Sequence, residues 1–159
     1  MKNMILALAV LAAMAVPARA QQAGLVGAGL IAGSPFGATA KYWWDDFLAF
    51  DGGIGYGNAA VFYADALFNN WTLLRSPGTG RVNTYLGAGP RVATDDGGQF
   101  AIRAMAGAGY WPTGGPLELF VEFGPTFKVT PDNNVGIDGG IGMRYYFTLT
   151  ASPARQGPP

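Results

Sequence analysis

VGIDGGIGMRYYF, from Val135 to Phe147, decides the fold. Val135, Ile137, Gly139, Ile141, Met143, Tyr145 and Phe147 share one parity and are mostly greasy. Gly136, Asp138, Gly140, Gly142, Arg144 and Tyr146 share the other and are small, charged or phenolic. Successive side chains of a strand leave on opposite faces, so a two-residue period predicts a strand with one apolar face and one polar face. A helix would need a 3.6-residue stripe, and glycine at this density disfavours it.

The same split recurs upstream. Leu117, Leu119, Val121 and Phe123 alternate with Glu118, Phe120, Glu122 and Gly124, and Phe100, Ile102 and Ala104 alternate with Arg103 and Met105. Strands are expected at about 24–33, 38–44, 48–56, 59–69, 81–92, 99–111, 117–128 and 135–147. Their length is near the roughly ten residues of a tilted membrane strand. Ser34-Pro35-Phe36-Gly37, Asp45-Asp46, Gly57-Asn58 and the later gaps all carry Gly, Pro, Asn or Asp, which suit turns. Eight strands, all linked by short connections, predict an all-β, antiparallel, up-and-down transmembrane β-barrel over residues 21–147.

Charges mark the inward face. Lys41, Arg81, Arg91, Arg103 and Arg144 fall on the small-polar parity with Asp51, Asp65, Glu118, Glu122 and Asp138, five of each sign. An eight-stranded barrel is just wide enough for side chains to fill it. Ions held there must pair, because an isolated one costs several kcal/mol. Gly-x-Gly pairs at 27/29, 53/55, 87/89, 107/109 and 140/142 are expected on the same face, making room for arginines opposite. Trp43, Trp44, Trp71, Tyr110, Trp111, Tyr145 and Phe147 gather at the end that carries the termini and are expected to form an aromatic girdle at the lipid–water interface. Phe36, Tyr56, Phe123 and Phe127 would make a thinner one at the other rim.

The remaining chain fits export. Lys2, an apolar run from Ile5 to Val16, Pro17 and Ala18-Arg19-Ala20 read as a cleaved signal peptide over residues 1–20. Removing Lys2 and Arg19 from ten basic residues leaves eight against ten acidic ones, a formal charge of 8 − 10 = −2. That excludes a basic nucleic-acid footprint. Half the residues are hydrophobic and only 13% are charged, low for a domain surrounded by water. No stretch of the mature chain reads as an apolar transmembrane helix, so a barrel wall facing outer-membrane lipid is the expected way to solvate that surface. Residues 148–159, ending in Gly157-Pro-Pro, read as a disordered Pro-rich tail.

Asp138-Gly-Gly-Ile-Gly-Met-Arg-Tyr-Tyr-Phe147 resembles the β-signal recognised by the outer-membrane assembly machinery, although the chain continues through Thr148 to Pro159. The stretch from about Gly27 to Phe147 also resembles a family of small eight-stranded outer-membrane barrels with no assigned reaction. The similarity lies in GLIAGSPFG (29–37) with Lys41-Tyr42-Trp43, Phe50-Asp51-Gly52, Tyr63-Ala64-Asp65, Glu118-Leu-Phe-Val-Glu122 and the final strand. It implies the fold and the outer-membrane location, with the assembly machinery as a partner during biogenesis.

Chemistry is scarce. No histidine or cysteine is present, which removes triads, the usual general base, most zinc sites and disulfides. Gly27-Ala-Gly29-Leu-Ile-Ala32 matches a dinucleotide fingerprint but lacks its strand before and helix after. Glu118 and Glu122 share a face about 13 Å apart, beyond the roughly 5–9.5 Å of glycosidase pairs. Asp95-Asp96 and Asp132-Asn133 lack the ligand spacing of a calcium loop. No enzyme, cofactor or metal is expected. Three roles stand in order: a structural or accessory barrel plugged by its own charges, a narrow pore or binder of a small amphiphile, and a surface interaction module.

Overall fold

The computed structural model describes residues 23–57, 59–94, 98–130 and 134–148. The expected signal peptide, Asn58, Asp95 and Asp96, Asp132 and Asn133, and the tail from 149 onward lie outside the described residues. Eight strands follow in order: β1 Leu25–Ser34, β2 Phe36–Trp43, β3 Leu48–Tyr56, β4 Ala60–Asn70, β5 Gly80–Ala93, β6 Gln99–Pro112, β7 Leu117–Thr130 and β8 Asn134–Thr148. No helix occurs among the described residues.

Each strand pairs antiparallel with its chain neighbours, and β1 closes onto β8 from Leu25↔Thr148 to Ser34↔Gly139. The result is a closed, up-and-down, eight-stranded barrel. Closure leaves no unpaired sheet edge. β2 begins at Phe36 rather than at Ala38, because Phe36 already pairs with Tyr56 and Gly37 with Ile31. The first connection is thereby cut to Pro35 alone, which is buried.

Turn chemistry closes the other end. Asp45 Oδ1 accepts hydrogen bonds from the backbone N–H groups of Phe47 and Leu48, each at 2.7 Å. Asn70 Oδ1 does the same for Thr72 and Leu73, each at 2.8 Å. Such side chains take the place of a ladder partner where the strand must stop.

Two prolines interrupt ladders locally. The β4–β5 register passes from Tyr63↔Arg91 to Ala66↔Ala88, skipping the level of Pro90. The β6–β7 register likewise passes from Arg103↔Thr126 to Ala106↔Phe123, around Pro125. Proline has no N–H to give, and each gap spans two register positions on one side while the other side stays paired.

The exterior is apolar along every strand. Leu30, Tyr42, Ile54, Phe62, Leu86, Ile102, Phe123 and Ile141, one from each strand in turn, are 37% to 66% exposed, and Ile137 reaches 80%. Every charged residue on a described strand carries the opposite, inward parity. Because the ladder closes through β1 and β8, unfolding must break the whole ring at once. Purified protein should therefore migrate differently on a detergent gel before and after boiling; identical migration would contradict closure.

Candidate functional site

The interior divides into three tiers along the barrel axis. At the end carrying the termini, Trp43, Trp71, Trp111 and Tyr146 pack together, with Trp111 and Tyr146 ring centroids 4.5 Å apart and Trp43 and Trp71 5.6 Å apart. Trp43 is fully buried and Trp111 is 9% exposed. The Trp111 indole N–H donates to Asn83 Oδ1 at 3.0 Å, Asn83 donates to Asn69 at 2.9 Å, and the Trp71 indole donates to the Asp46 carbonyl at 3.0 Å.

This corrects the expected girdle. Trp43 lies two residues from Lys41 and Trp111 eight from Arg103, so strand alternation turns both inward, and Trp71, just past the end of β4, packs against them. There they fill the lumen. Trp44, Tyr145 and Phe147 do face outward, each more than half exposed, with Tyr42 beside Trp44; Tyr110 is half-buried and bonds Thr79.

The middle tier is ionic. Arg144 pairs with Asp51 and, at 3.3 Å, with Glu118; it also donates to Thr39 Oγ1 at 2.9 Å. Lys41 Nζ lies 3.2 Å from Glu118 Oε1, and Tyr146 donates to the other oxygen of Glu118 at 2.6 Å. Arg103 bridges Asp65 at 3.1 Å and Glu122 at 2.9 Å, and Tyr85 donates to Glu122 at 3.0 Å. All seven ions, Lys41, Asp51, Asp65, Arg103, Glu118, Glu122 and Arg144, are at most 5% exposed. Guanidinium faces rest on rings as well: Arg144 on Phe120 at 3.7 Å and Arg103 on Tyr63 at 4.1 Å.

Cross-strand register explains why glycine recurs on this face. Gly27 stands opposite Tyr146, Gly53 opposite Tyr63, Gly107 opposite Tyr85 and Gly142 opposite Phe120. A Cβ at any of the four would fall within 3 Å of the opposing ring. These glycines therefore make room for aromatic rings rather than for arginines. Gly29 and Gly89 serve the ions instead. Arg144 reaches Thr39 across Gly29, which pairs with both, and a Cβ on Gly89 would meet the Asp65 carboxylate at 2.7 Å.

The third tier lies at the opposite mouth. Arg91 and Asp138 approach to 2.9 Å, and Arg91 donates a long bond of 3.4 Å to Gln99. Lys128 shares this mouth on the inward parity, eleven charges in all when it joins the ten expected ones. It was missed because it ends the expected strand, yet its ten-residue offset from Glu118 gives its face directly. Arg81 sits apart at the termini end, exposed, with its guanidinium 4.3 Å from the Trp71 ring.

The class of protein is thus a closed eight-stranded antiparallel barrel, ionic within and apolar without. No family model and no curated protein matches the chain. It is similar to a solved structure, the N-terminal β-barrel domain of Pseudomonas aeruginosa OprF, with 19% identity and a TM-score of 0.55. The match covers 80% of this chain and 100% of that one. The likeness bears on the fold, and the resemblance to small outer-membrane barrels is supported to that extent.

Removing one partner from a buried ionic cluster strands the others without compensation. Arg144→Ala should lower unfolding stability by about 3–5 kcal/mol, measured by urea titration in detergent. Arg81→Ala, exposed at the termini end, should cost less, about 0.5–1 kcal/mol. Equal losses would contradict the tiered interior.

Proposed function

We propose that the chain is a small integral outer-membrane β-barrel whose lumen is closed by its own ion pairs and tryptophans. Its role is structural or accessory, with no catalysis and no cofactor. One observation carries the reading: all charged side chains on the described strands point inward, while each strand presents large apolar side chains outward. Exposed apolar surface this continuous is rare on a protein bathed in water. In lipid, a closed barrel is the β-structure that leaves no backbone group unpaired.

Export fits the signal peptide read over residues 1–20, and the final strand fits delivery to the outer-membrane assembly machinery. With the termini in the periplasm, Trp44, Tyr145 and Phe147 lie at the inner interface. Pro35, 57–59 and the other connections at the far end are then the outward loops, all short. They leave little surface for recognition, so an adhesion or interaction module fits poorly.

Two measurements test this together. Spin labels at Leu119 and Ile141 should report an apolar surrounding in reconstituted vesicles. Planar bilayers holding the protein should show little or no conductance. Large, stable, open channels would overturn the closed lumen, and water-exposed labels would overturn the membrane assignment.

A further inference from the structure

We infer that the barrel mouth opposite the termini is a binding site for a small oxyanion, a carboxylate or phosphate group. A cavity of 220 Å³ lies there, walled in part by Arg91, Gln99, Thr126, Lys128, Gly136 and Asp138. That is far above the roughly 10–15 Å³ needed for one water.

Three features of this tier, taken together beside the cavity, point to a ligand. First, Thr126 is 1% exposed, yet its hydroxyl has no hydrogen-bond partner in the protein. Buried polar groups are ordinarily bonded, so an orphaned one beside a cavity marks where a ligand atom belongs. Second, the charges lining the cavity do not balance among the described residues. Arg91 and Lys128 face Asp138, and Lys128 has no ion pair among the described residues. Arg91 Nε and Asp138 Oδ2 are 2.9 Å apart, but neither atom makes an aligned hydrogen bond. Asp138 thus meets one cation, whereas Arg144 is gripped by three partners.

Third, the space is kept open. Gly136 pairs in register with Thr126, and a Cβ added there would find only the Thr126 carbonyl, at 3.9 Å. The ring-facing glycines of the barrel have no such freedom. Arg91, Lys128, the Thr126 hydroxyl and the Gln99 amide supply donors and a net positive charge. Asp138 is the one carboxylate in the described lining, and an oxyanion would bring the further negatively charged acceptor oxygens that these donors can take.

The inference does not depend on whether the lumen conducts. Refolded protein in maltoside micelles, which carry no phosphate, is titrated with inorganic phosphate and separately with butyrate, and amide shifts of Lys128 and Gly136 are followed by NMR. Saturable shifts are expected for at least one of them. Lys128→Gln and Thr126→Val should each weaken that binding roughly tenfold, about 1.4 kcal/mol. Thr126→Val should leave the unfolding temperature unchanged or raised, since it removes only an unbonded hydroxyl. Arg75→Gln, in an exposed loop outside the cavity, should bind as the parent does.

Short-chain phosphatidic acid in the same micelles separates a lipid head group from a free anion. Tighter binding than inorganic phosphate points to the lipid, and equal or weaker binding to the free anion. Absence of saturation with every probe overturns the site. So does equal affinity in Lys128→Gln and Thr126→Val, or an equal loss in Arg75→Gln, which would mean diffuse charge attraction.

Discussion

A charge inside a narrow barrel has nowhere to find water, and that constraint organises the interior. Lys41, Arg144 and Glu118 are each at most 1% exposed, so each must meet an opposite charge or lose several kcal/mol of hydration. Asp51 and Asp65 stand directly opposite one another on β3 and β4, a repulsive cross-strand pair. The repulsion is offset from outside the pair: Arg144 of β8 takes Asp51, and Arg103 of β6 takes Asp65. These bonds join strands that share no ladder. A one-residue slip of any strand from β2 to β8 would turn its ions toward the apolar exterior, so the ion pairs also define the register.

Packing follows from the same constraint. Long side chains that cross the lumen need bare backbone beneath them, and the register supplies it at Gly29 and Gly89. Tyr63, Tyr85, Phe120 and Tyr146 then lie over glycines of the next strand, which covers exposed backbone with an aromatic face. All four rings return the favour electrostatically, Tyr63 by carrying the Arg103 guanidinium. Tyr85 and Tyr146 donate to Glu122 and Glu118, and Phe120 carries the Arg144 guanidinium. Glycine, ring and ion thus form one connected unit, and a Cβ at Gly107 would disturb Glu122 through Tyr85.

Much of this was legible in the sequence and some was not, for physical reasons. Alternation in Val135–Phe147 and its echoes fixes strand identity and the face of each charge, because parity needs only the local chain. The same rule applied to Trp43 and Trp111 points them inward, against the interfacial preference of tryptophan. Strand geometry prevails, since a side chain cannot leave its face without a bulge, whereas interfacial preference is a weak bias. Which arginine meets which carboxylate was not legible. That depends on barrel stagger, which sets the strands facing one another across the lumen. The glycine–ring pairs were hidden likewise, because register is a property of two strands and the sequence displays one at a time.

All three tiers hold buried polar atoms without an aligned hydrogen bond, Trp43 Nε1 in the first, Asp51 Oδ1 and Asp65 Oδ1 in the second and Thr126 Oγ1 in the third, so they differ in charge balance and open space. The tryptophan tier joins its indoles to Asn83 and to the Asp46 backbone, and the middle tier surrounds each cation with carboxylates and rings. Such regions stabilise and specify, and any ligand entering them would have to displace bonds already made. At the far mouth the balance changes over a few residues of β7: Glu122 is fully engaged, Thr126 is unbonded, and Lys128 has no ion pair among the described residues. A protein that needed only to hold itself together would gain by filling Gly136 and bonding Thr126. Keeping that tier open leaves stability unused beside a cavity large enough for a small solute.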